Sequence, residues 1–442
     1  MNINAISNFM KCVKLAKLND KIPFFEDEAY SNSLNNIYHS DNIIVSNIFL
    51  NFLFKFNVLQ IESDNISVNT IEDFAYVKKY TNMVRHLTSI YDVTFWSRLT
   101  TLTDPAKKIQ YKIRLTKTPF ICTSAWCKCY ELISRFNFES VLINCVKKHD
   151  KINTWHLCEA PGAFVSAMGY YLQLKGLLPY WTWMASSLNP YYQTKINGVV
   201  YDTRLSDISF NNWFYCADGS GNICDFDNIK SIISNAHSSK YPISLVTADG
   251  SFDCSKDFGN QEISVVYLKF CELITALHIL DQEGVFVQKY FTLFEEKTRS
   301  IIFIIRYFFD QVFLCKPLTS KRGNSEIYVI AKGYRKPNPS ILENLLLLTK
   351  LSLDSFINQN IIPLEIIPLS FLSELLLSAK IFSMMQQTAI QQNIFLSDQH
   401  LSFQHINQIS KFRSEPYFTI FNTFTNFLKS QGDHKKKTPF CL

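Results

Sequence analysis

The side chains best suited to chemistry in this sequence are charged residues that stand where apolar runs end. The mainly apolar run 243–248 stops at Asp249, and a second run, 285–287, leads to Lys289. In an open α/β sheet, ligands bind beyond the carboxyl ends of the strands, so both residues should border one cleft. Glu326, which opens a third run, is expected at the same place. Such a group of ionisable side chains could bind a polar ligand and move a proton.

Lys128 is a fourth candidate for this cleft. The segment 123–136 has the spacing of a helix, on which Ala125, Lys128 and Leu132 fall on neighbouring turns of one side. Lys128 therefore shares a helix face with apolar residues. A lone lysine so placed usually reaches solvent along its aliphatic stem, so a plain packing role stays open.

A strand-to-helix turn supplies a candidate ligand-binding backbone. Residues 154–158 are predicted to be a strand, Glu159-Ala160-Pro161-Gly162 a turn, and residues 163–174 a helix. Gly162 allows close approach of the backbone, and the helix that follows offers free N–H groups to a polar ligand. The alternative is an ordinary turn, since one glycine is not a dinucleotide-binding fingerprint.

The next predicted strand begins at Trp181 and ends in polar residues. A nucleotide-type cofactor usually meets an acid at the end of this strand, which holds its ribose. Asn189 stands there instead, so the candidates for ribose binding are Asn189, Asp202 and Asp225. Trp181 could stack on a purine, or it could simply pack at the start of its strand.

Alternating strands and helices then predict the fold class. The predicted order is strand 243–248, helix 261–280, strand 285–290, helix 295–309, and strands 312–315 and 326–331 joined by a polar loop. This order is typical of a doubly wound α/β sheet whose last two strands form an antiparallel hairpin.

Composition limits the class of protein. The chain has 442 residues, 47% of them hydrophobic, which suffices for one large or two ordinary domains. The net charge of +6 fits a polyanionic partner without requiring one. The 12 cysteines include no CxxC pair, so we expect no zinc site, no disulfide framework and a reducing compartment. The amino terminus lacks the features of a secretory signal, and polar residues interrupt the apolar stretches 42–61 and 361–379, as in buried helices rather than membrane spans.

The two flanks of the α/β pattern are predicted to be mainly helical. Residues 1–112 are expected to be an accessory region, although the basic and apolar residues that alternate over 107–117 suggest a strand or arm, either solvated or lying on a phosphate backbone. Residues 335–442 are expected to be a second helical region, with helices at 342–353, 370–387 and 418–428. The basic tail 434–437 could touch RNA or act as a nuclear signal, or it could be a disordered solubilising end.

The motif Leu157-Cys158-Glu159-Ala160-Pro161-Gly162-Ala163-Phe164 resembles the cofactor turn of FtsJ-like RNA 2′-O-ribose methyltransferases. Further segments resemble the Adrift-type branch of that family: Ala125-Trp126-Cys127-Lys128, Leu188-Asn189-Pro190-Tyr191, 246–254, Gln261-Glu262, Lys316-Pro317, Thr319-Ser320 and Gly323-Asn324-Ser325-Glu326. The resemblance covers residues 113–334, which we therefore expect to form the methyltransferase domain.

The resemblance implies a Rossmann-like class I methyltransferase sheet with helices on both faces, extended by helices at both ends. It implies that Lys128, Asp249, Lys289 and Glu326 form a catalytic tetrad. It also implies that S-adenosyl-L-methionine is the cofactor. The candidate cofactor-binding residues are Glu159, Pro161, Gly162, Ala163, Phe164, Trp181, Asn189 and Asp249. Singly, each acid could be a helix cap or a surface ion pair, but four charges from four separate elements favour a site.

The expected reaction explains the residue types. A ribose hydroxyl must lose its proton as it attacks a methyl group, and Lys289 is the expected base. A free lysine has a pKa of about 10.4, so burial and the nearby Lys128 cation would have to lower the pKa of Lys289 to about 7 to 8. Asp249 would orient Lys289, and Glu326 would hold Lys128. We expect no metal, because positioning of the two reactants suffices.

The resemblance further implies that the substrate is the capped 5′ end of mRNA, at its second transcribed nucleotide. Long family members carry a second, methyltransferase-like module, whereas about a hundred residues follow Tyr334 here. Methylation of the first nucleotide or of another RNA therefore stays an alternative, as does a non-catalytic RNA-binding subunit. We expect no membrane association and a location in the nucleus or the cytoplasm.

Overall fold

The computed structural model describes most of the chain from residue 70 onward. The described residues are 70–115, 120–192, 198–252, 259–359, 361–362, 366–398, 403–404, 406–407, 417–419, 421–422 and 425. The predicted apolar stretch 42–61 and the basic tail 434–437 lie outside them, and the predicted helix 418–428 is described only in part.

One six-stranded sheet organises the fold. Its strands are β1 (Ile152–Leu157), β2 (Trp181–Ser186), β3 (Ile243–Ala248), β4 (Leu280–Tyr290), β5 (Phe309–Cys315) and β6 (Ile327–Tyr334). Their spatial order is β2-β1-β3-β4-β6-β5. The first four are parallel, while β6 is antiparallel to both β4 and β5. The predicted doubly wound sheet with a terminal antiparallel hairpin is confirmed.

The strand order creates a ligand crevice at one place. The chain passes from β1 outward to β2 and then returns to the other side of β1 with β3. At such a reversal the connections leave the carboxyl ends of the two central strands in opposite directions, so a crevice opens between them. The turn after β1 and Asp249 after β3 both lie there, because Leu157 and Ala248 are register partners.

Helices cover both faces of the sheet, as predicted. They are α1 (Thr70–His86), α2 (Val93–Thr103), α3 (Pro105–Leu115), α4 (Ser124–Arg135), α5 (Phe138–His149), α6 (Ala163–Leu174), α7 (Arg204–Ile208), α8 (Phe226–His237), α9 (Gln261–Ile279), α10 (Glu296–Phe308), α11 (Pro339–Leu348), α12 (Leu353–Asn358) and α13 (Leu369–Asp398). Leu245 of β3 points into a core with helices α3 to α6, whereas Val246 points into a second core with helices α8 to α13. This alternation follows from the two-residue period of a strand.

Most predicted elements of the central domain agree with the structure to within a few residues. Helix α6 matches its predicted bounds, and α9 ends one residue early. Strand β4 starts at Leu280, five residues before its predicted beginning. Its first half was not predicted because it contains Gly284 and polar residues and so lacks an apolar run. Helices α5 and α8 were not predicted.

The prediction of a strand or arm at 107–117 was wrong for its described residues, because they belong to helix α3. Pro105 opens the helix, where its missing N–H leaves no hydrogen bond unmade. Ile109 and Ile113, four residues apart, are fully buried, whereas Tyr111 between them is 61% exposed. In a strand all three side chains would share one face. The helix is favoured over a strand because it buries both isoleucines against α4.

The helical extensions on the two sides of the central domain meet each other. Helices α1 and α13 pack together, and α13 also contacts α2 and α10. The helix predicted at 370–387 runs further, to Asp398. The domain boundaries at 112 and 334 stay predictions. None of the helices in the described part of the chain combines the length and the apolarity needed to cross a membrane.

The burial pattern of α3 predicts a clear contrast between two substitutions. Ile113→Ala should lower the free energy of unfolding by about 2 to 4 kcal/mol, because it leaves a cavity in a packed core. Tyr111→Ala, two residues away, should change it by less than about 0.5 kcal/mol. Urea denaturation of both variants measures the difference. Equal losses would mean that the segment does not form this helix in solution.

Candidate active site

Two buried ion pairs meet at the carboxyl edge of the sheet. The Nζ of Lys128 lies 2.8 Å from each carboxylate oxygen of Glu326. The Nζ of Lys289 donates to the carbonyl oxygen of Asp249 at 2.6 Å and lies 3.2 Å from its Oδ1. Lys128, Lys289 and Glu326 are buried, and Asp249 is partly buried. The structure therefore brings the four predicted tetrad residues together.

Four separate elements deliver these side chains. Lys128 lies on α4, whose amino end is capped by the Thr123 side chain accepting from Trp126 N. Asp249 follows β3 directly, and Lys289 is the penultimate residue of β4. Glu326 directly precedes β6. Because β6 runs antiparallel to β4, its amino end lies at the same edge of the sheet as the carboxyl ends of β3 and β4.

A buried polar network holds the backbone next to Asp249. The N–H of Gly250 donates to Glu272 Oε1 at 3.0 Å, and its carbonyl oxygen accepts from Lys269 Nζ at 2.7 Å. Lys269 and Glu272 also pair with each other at 2.8 Å, and Gln288 donates to both the Lys269 carbonyl and Glu272 Oε2. A Cβ on Gly250 would stand 2.2 Å from Glu272 Oε1, so only glycine fits this close approach.

The loop between β5 and β6 holds Glu326 in a similar way. Ser320 Oγ donates to Glu326 Oε1 at 2.9 Å, and Lys316 Nζ donates to the Glu326 carbonyl oxygen at 3.0 Å. Further back in the loop, the N–H and hydroxyl of Thr319 donate to the buried carboxylate of Glu131, at 3.0 and 2.8 Å. Glu131 follows Lys128 by three residues on α4. The same helix therefore contacts Glu326 through Lys128 and Thr319 through Glu131.

Tyr328 is a site residue that the sequence prediction missed. Its hydroxyl donates to Asp249 Oδ1 at 2.7 Å, and the Lys128 ammonium lies 5.8 Å from the centre of its ring. The register pairs Tyr328 with Lys289 across the antiparallel strands. The signal was present in the sequence, because Tyr328 stands two residues after Glu326 and strand alternation places both on one face.

The ion pairs shift the pKa of two tetrad residues, Glu326 and Lys289. Burial raises the pKa of Glu326, but the attraction of Lys128 and Lys289 overcomes it and lowers that pKa to about 2. Burial opposes the charge of Lys289 and is the largest single effect on it, yet the combined attraction of Asp249 and Glu326 leaves its pKa above the ordinary value. The predicted lowering of the Lys289 pKa was therefore wrong for this state, because two carboxylates act on Lys289.

Lys316 is a third buried lysine beside the tetrad. Its Nζ donates to the backbone carbonyl and the Oδ1 of Asn324, at 2.9 and 2.7 Å, as well as to the Glu326 carbonyl. Burial, opposed in part by Glu326 and reinforced by Lys128, lowers the pKa of Lys316 to about 8. The three hydrogen bonds use its three protons, which indicates a structural role in the loop.

The turn after β1 is built differently from the prediction. The first N–H groups of the helix after Gly162 were expected to be free for a ligand, with an ordinary turn as the alternative, but those of Phe164 and Val165 both donate to Glu159 Oε1, at 2.7 and 3.0 Å. These two N–H groups are therefore already used. Burial, together with the nearby charge of Asp249, raises the pKa of Glu159 to about 8. A cation placed beside the carboxyl groups of Glu159 and Asp249 would be attracted to both.

The other residues of the turn line its inner side. Gly162 has a positive φ of 104°, and a Cβ there would stand 2.0 Å from Leu205 Cδ2, so the close approach at this glycine is made by Leu205. Ala163 and Phe164 are buried, and the Phe164 ring packs against Tyr328, with the ring centres 6.2 Å apart. Pro161 is partly buried at the crevice and follows a cis peptide bond.

Trp181 is not brought to the crevice with the other candidates. It opens β2 opposite Ile152, at the amino end of the parallel strands, which is five residues or roughly 17 Å from the carboxyl edge. Its indole N–H donates to Thr154 Oγ1, and its ring stacks on Trp183. The structure thus supports the packing interpretation of Trp181, which the prediction had kept as the alternative.

The three candidates for ribose binding have other partners. Asn189 lies beyond the end of β2, where its side chain bonds to the Gly219 carbonyl and the Tyr191 N–H. Asp202 forms an exposed pair with Arg204, and Asp225 caps α8. Asn189 stands three residues beyond the end of β2, as predicted. Within the described ranges, no group of three or more His, Cys, Asp or Glu side chains is arranged to hold a metal ion.

Comparison with known proteins relates the central part of the chain to methyltransferases. Residues 122–334 match the model of the FtsJ-like methyltransferase family. A Drosophila melanogaster protein named cap-specific mRNA (nucleoside-2′-O-)-methyltransferase 2 is 37% identical over 270 residues, which cover 60% of this chain and 37% of that protein. An African swine fever virus protein named "Probable methyltransferase EP424R" is 29% identical over 238 residues, covering 52% of this chain and 53% of its own.

Residues 122–334 are therefore an FtsJ-like methyltransferase domain. The chain spans about a third of the length of the Drosophila relative and about half of the viral one. A solved structure, human methyltransferase-like protein 13 in complex with SAH, aligns with 50% of this chain and 89% of its own at 14% identity and a TM-score of 0.30.

The pKa of Glu326 predicts how stability depends on pH. Its pKa of about 2 in the folded protein lies below the ordinary glutamate value of about 4.3, so its contribution is complete above pH 5 and is lost as the pH falls toward 2. The difference in free energy of unfolding between wild type and Glu326→Gln should therefore shrink by about 2 kcal/mol between pH 6 and pH 2.5.

Urea denaturation across this pH range measures the difference. Glu283→Gln is the matched control, because Glu283 forms an exposed pair with Lys148, and its difference from wild type should be small at every pH. A Glu326→Gln difference that stays constant across the range would contradict the buried pair.

Proposed function

We propose that this protein is an S-adenosyl-L-methionine-dependent 2′-O-ribose methyltransferase that acts near the capped 5′ end of mRNA, with the second transcribed nucleotide as its preferred site. The observation that carries the proposal is the meeting of Lys128, Asp249, Lys289 and Glu326 at the carboxyl edge of an FtsJ-like domain. The similarity to the named cap methyltransferase of Drosophila supports the choice of substrate. Such a role in mRNA processing would fit a location in the nucleus or the cytoplasm.

The cofactor would bind in the crevice between the turn after β1 and the end of β3. S-adenosyl-L-methionine supplies a methyl group on a positively charged sulfur. Asp249 and Glu159 fit that charge, because Glu159 is a buried carboxyl whose pKa of about 8 would fall beside a cation. Pro161, Gly162, Ala163 and Phe164 form the wall of the crevice next to them, and Asn189 lies at its outer end. Trp181 has no part in this proposal, because it lies at the opposite edge.

Within the tetrad, Lys289 accepts the proton of the ribose hydroxyl. Asp249 fixes its position through two contacts, and Tyr328 fixes Asp249. Lys128 and Glu326 neutralise each other's charge and form the second wall of the proposed site. Because the pKa of Lys289 is raised at rest, only the small deprotonated fraction can act as a base, and this fraction grows about tenfold with each unit of pH.

Two measurements test the role of Lys289. Lys289→Ala should abolish methyl transfer and leave cofactor affinity within about threefold of wild type, because the residue acts on the hydroxyl rather than on the cofactor. In wild type, the single-turnover rate should rise steadily from pH 6 to pH 8. Persisting turnover in Lys289→Ala, or a rate independent of pH in wild type, would remove Lys289 as the base. Lys332→Ala, outside the site on β6, is the control substitution.

The substrate is tested with labelled cofactor and three short RNAs. One carries a cap, one carries a cap and a methylated first ribose, and one has no cap. We expect transfer to both capped RNAs, with the label on the second ribose. Label on the first ribose, or on uncapped RNA, would keep the enzyme class and change the substrate. Binding of capped RNA without any transfer would instead favour a non-catalytic RNA-binding subunit.

A further inference from the structure

Gln386 connects both helical extensions to the loop that carries Glu326. Its Nε2 donates to the carbonyl oxygen of Gly323 at 3.0 Å, and its Oε1 accepts from Arg85 Nη2 at 2.9 Å. Arg85 lies at the end of α1, Gln386 on α13, and Gly323 in the β5–β6 loop. Gln386 is only 5% exposed, so these hydrogen bonds are shielded from competing water.

From Gly323 a continuous set of contacts leads to the tetrad. The next residue, Asn324, accepts two hydrogen bonds from Lys316. Lys316 also holds the carbonyl of Glu326, whose carboxylate pairs with Lys128. A displaced Gly323 carbonyl would therefore displace Asn324 and, through Lys316, the residue that holds Lys128.

The loop depends on such outside contacts because it has no helix or strand of its own. Residues 316–326 form turns between β5 and β6. Lys321 in the same loop donates to Thr100 Oγ1 on α2 at 2.8 Å. The inner side of the loop is held by the domain itself through Glu131, while Gln386 and Thr100 hold its outer side from the two extensions.

We propose that Gln386 is a positioning residue for the transferase site: by holding the Gly323 carbonyl, it fixes the loop that presents Glu326 to Lys128. The two helical extensions are then a functional part of the catalytic unit, because the donor comes from α13 and is oriented by α1. The inference rests on the proposed function for its kinetic consequence, whereas the position of the loop can be measured without any methyl transfer.

The neighbouring residue provides a matched control. Gln387 is also buried on α13 and also bonds to α1, through Nε2 to Thr81 Oγ1 at 2.9 Å. Among the described hydrogen bonds it makes none to the β5–β6 loop. Gln387→Leu thus removes a hydrogen bond between the same two helices without releasing Gly323. Gln386→Glu keeps an acceptor for Arg85 but cannot donate to Gly323 while ionised, so it separates the two contacts of Gln386.

The kinetic test compares these variants in the capped-RNA assay. Gln386→Leu and Gln386→Glu should each lower kcat about tenfold, with cofactor Kd unchanged, because they disturb geometry at the reacting centre and not the cofactor crevice. Gln387→Leu should keep kcat within about twofold of wild type. If Gln386→Leu does not fold, Gln386→Glu decides, since it retains the contact with α1.

Amide hydrogen exchange of residues 318–326 gives the readout that needs no activity. It should be several-fold faster in both Gln386 variants and unchanged in Gln387→Leu. Exchange and kcat like wild type in the Gln386 variants would overturn the inference, and so would equal effects of Gln387→Leu, which would mean that only helix packing matters. If wild type methylates no RNA, the proposed function fails, and faster exchange confined to the Gln386 variants still supports the positioning role.

Discussion

Two lysines and two carboxylates can share a buried edge of a sheet only as a neutral set. Removing an ion from water costs several kcal/mol, and a close partner of opposite charge must offset that cost. Here each ammonium has a carboxylate within 3.2 Å or less. The depressed pKa of Glu326 and the raised pKa of Lys289 both express this mutual attraction. Loss of any one of the four would leave an uncompensated buried charge, so the site and the stability of this edge depend on the same contacts.

The strands alone do not fix the geometry of the site, because each charged residue lies at or just beyond the end of its strand. Polar groups of the helices supply the missing constraint. Lys269 and Glu272 of α9 grip both backbone groups of Gly250, and Glu131 of α4 grips the loop before β6. Groups held in this way need little reorganisation when a reaction begins, which is how a preorganised site lowers a barrier. The buried charges outside the tetrad are thus part of its construction.

The sequence predicts those parts of this structure that depend on local pattern. Asp249 and Lys289 could be placed at the cleft because an apolar run that ends in a charge marks the end of a buried strand. Alternation misled at α3, where an eleven-residue segment with isoleucines four apart satisfies a helical period and a strand period alike. The sequence could not show that Leu205 fills the space at Gly162, or that Gln386 reaches Gly323, because such contacts join residues distant in the chain. The direction of the Lys289 pKa shift was missed for the same reason, since it depends on how many carboxylates meet one lysine.

The resting electrostatics of the site oppose the step that Lys289 is proposed to perform. Asp249 and Glu326 hold its proton, so the protein at rest favours the ammonium. Asp249, however, pairs with Lys289 and also adds to the effect of burial in raising the pKa of Glu159. A cation bound in the crevice would repel the Lys289 ammonium and attract the carboxylate of Glu159, so the pKa of each group would fall. The two protonation changes would have the same origin, which is the positive charge of the bound cofactor. The proposed base, Lys289, would therefore lose its proton more readily when a cationic cofactor lies in the crevice.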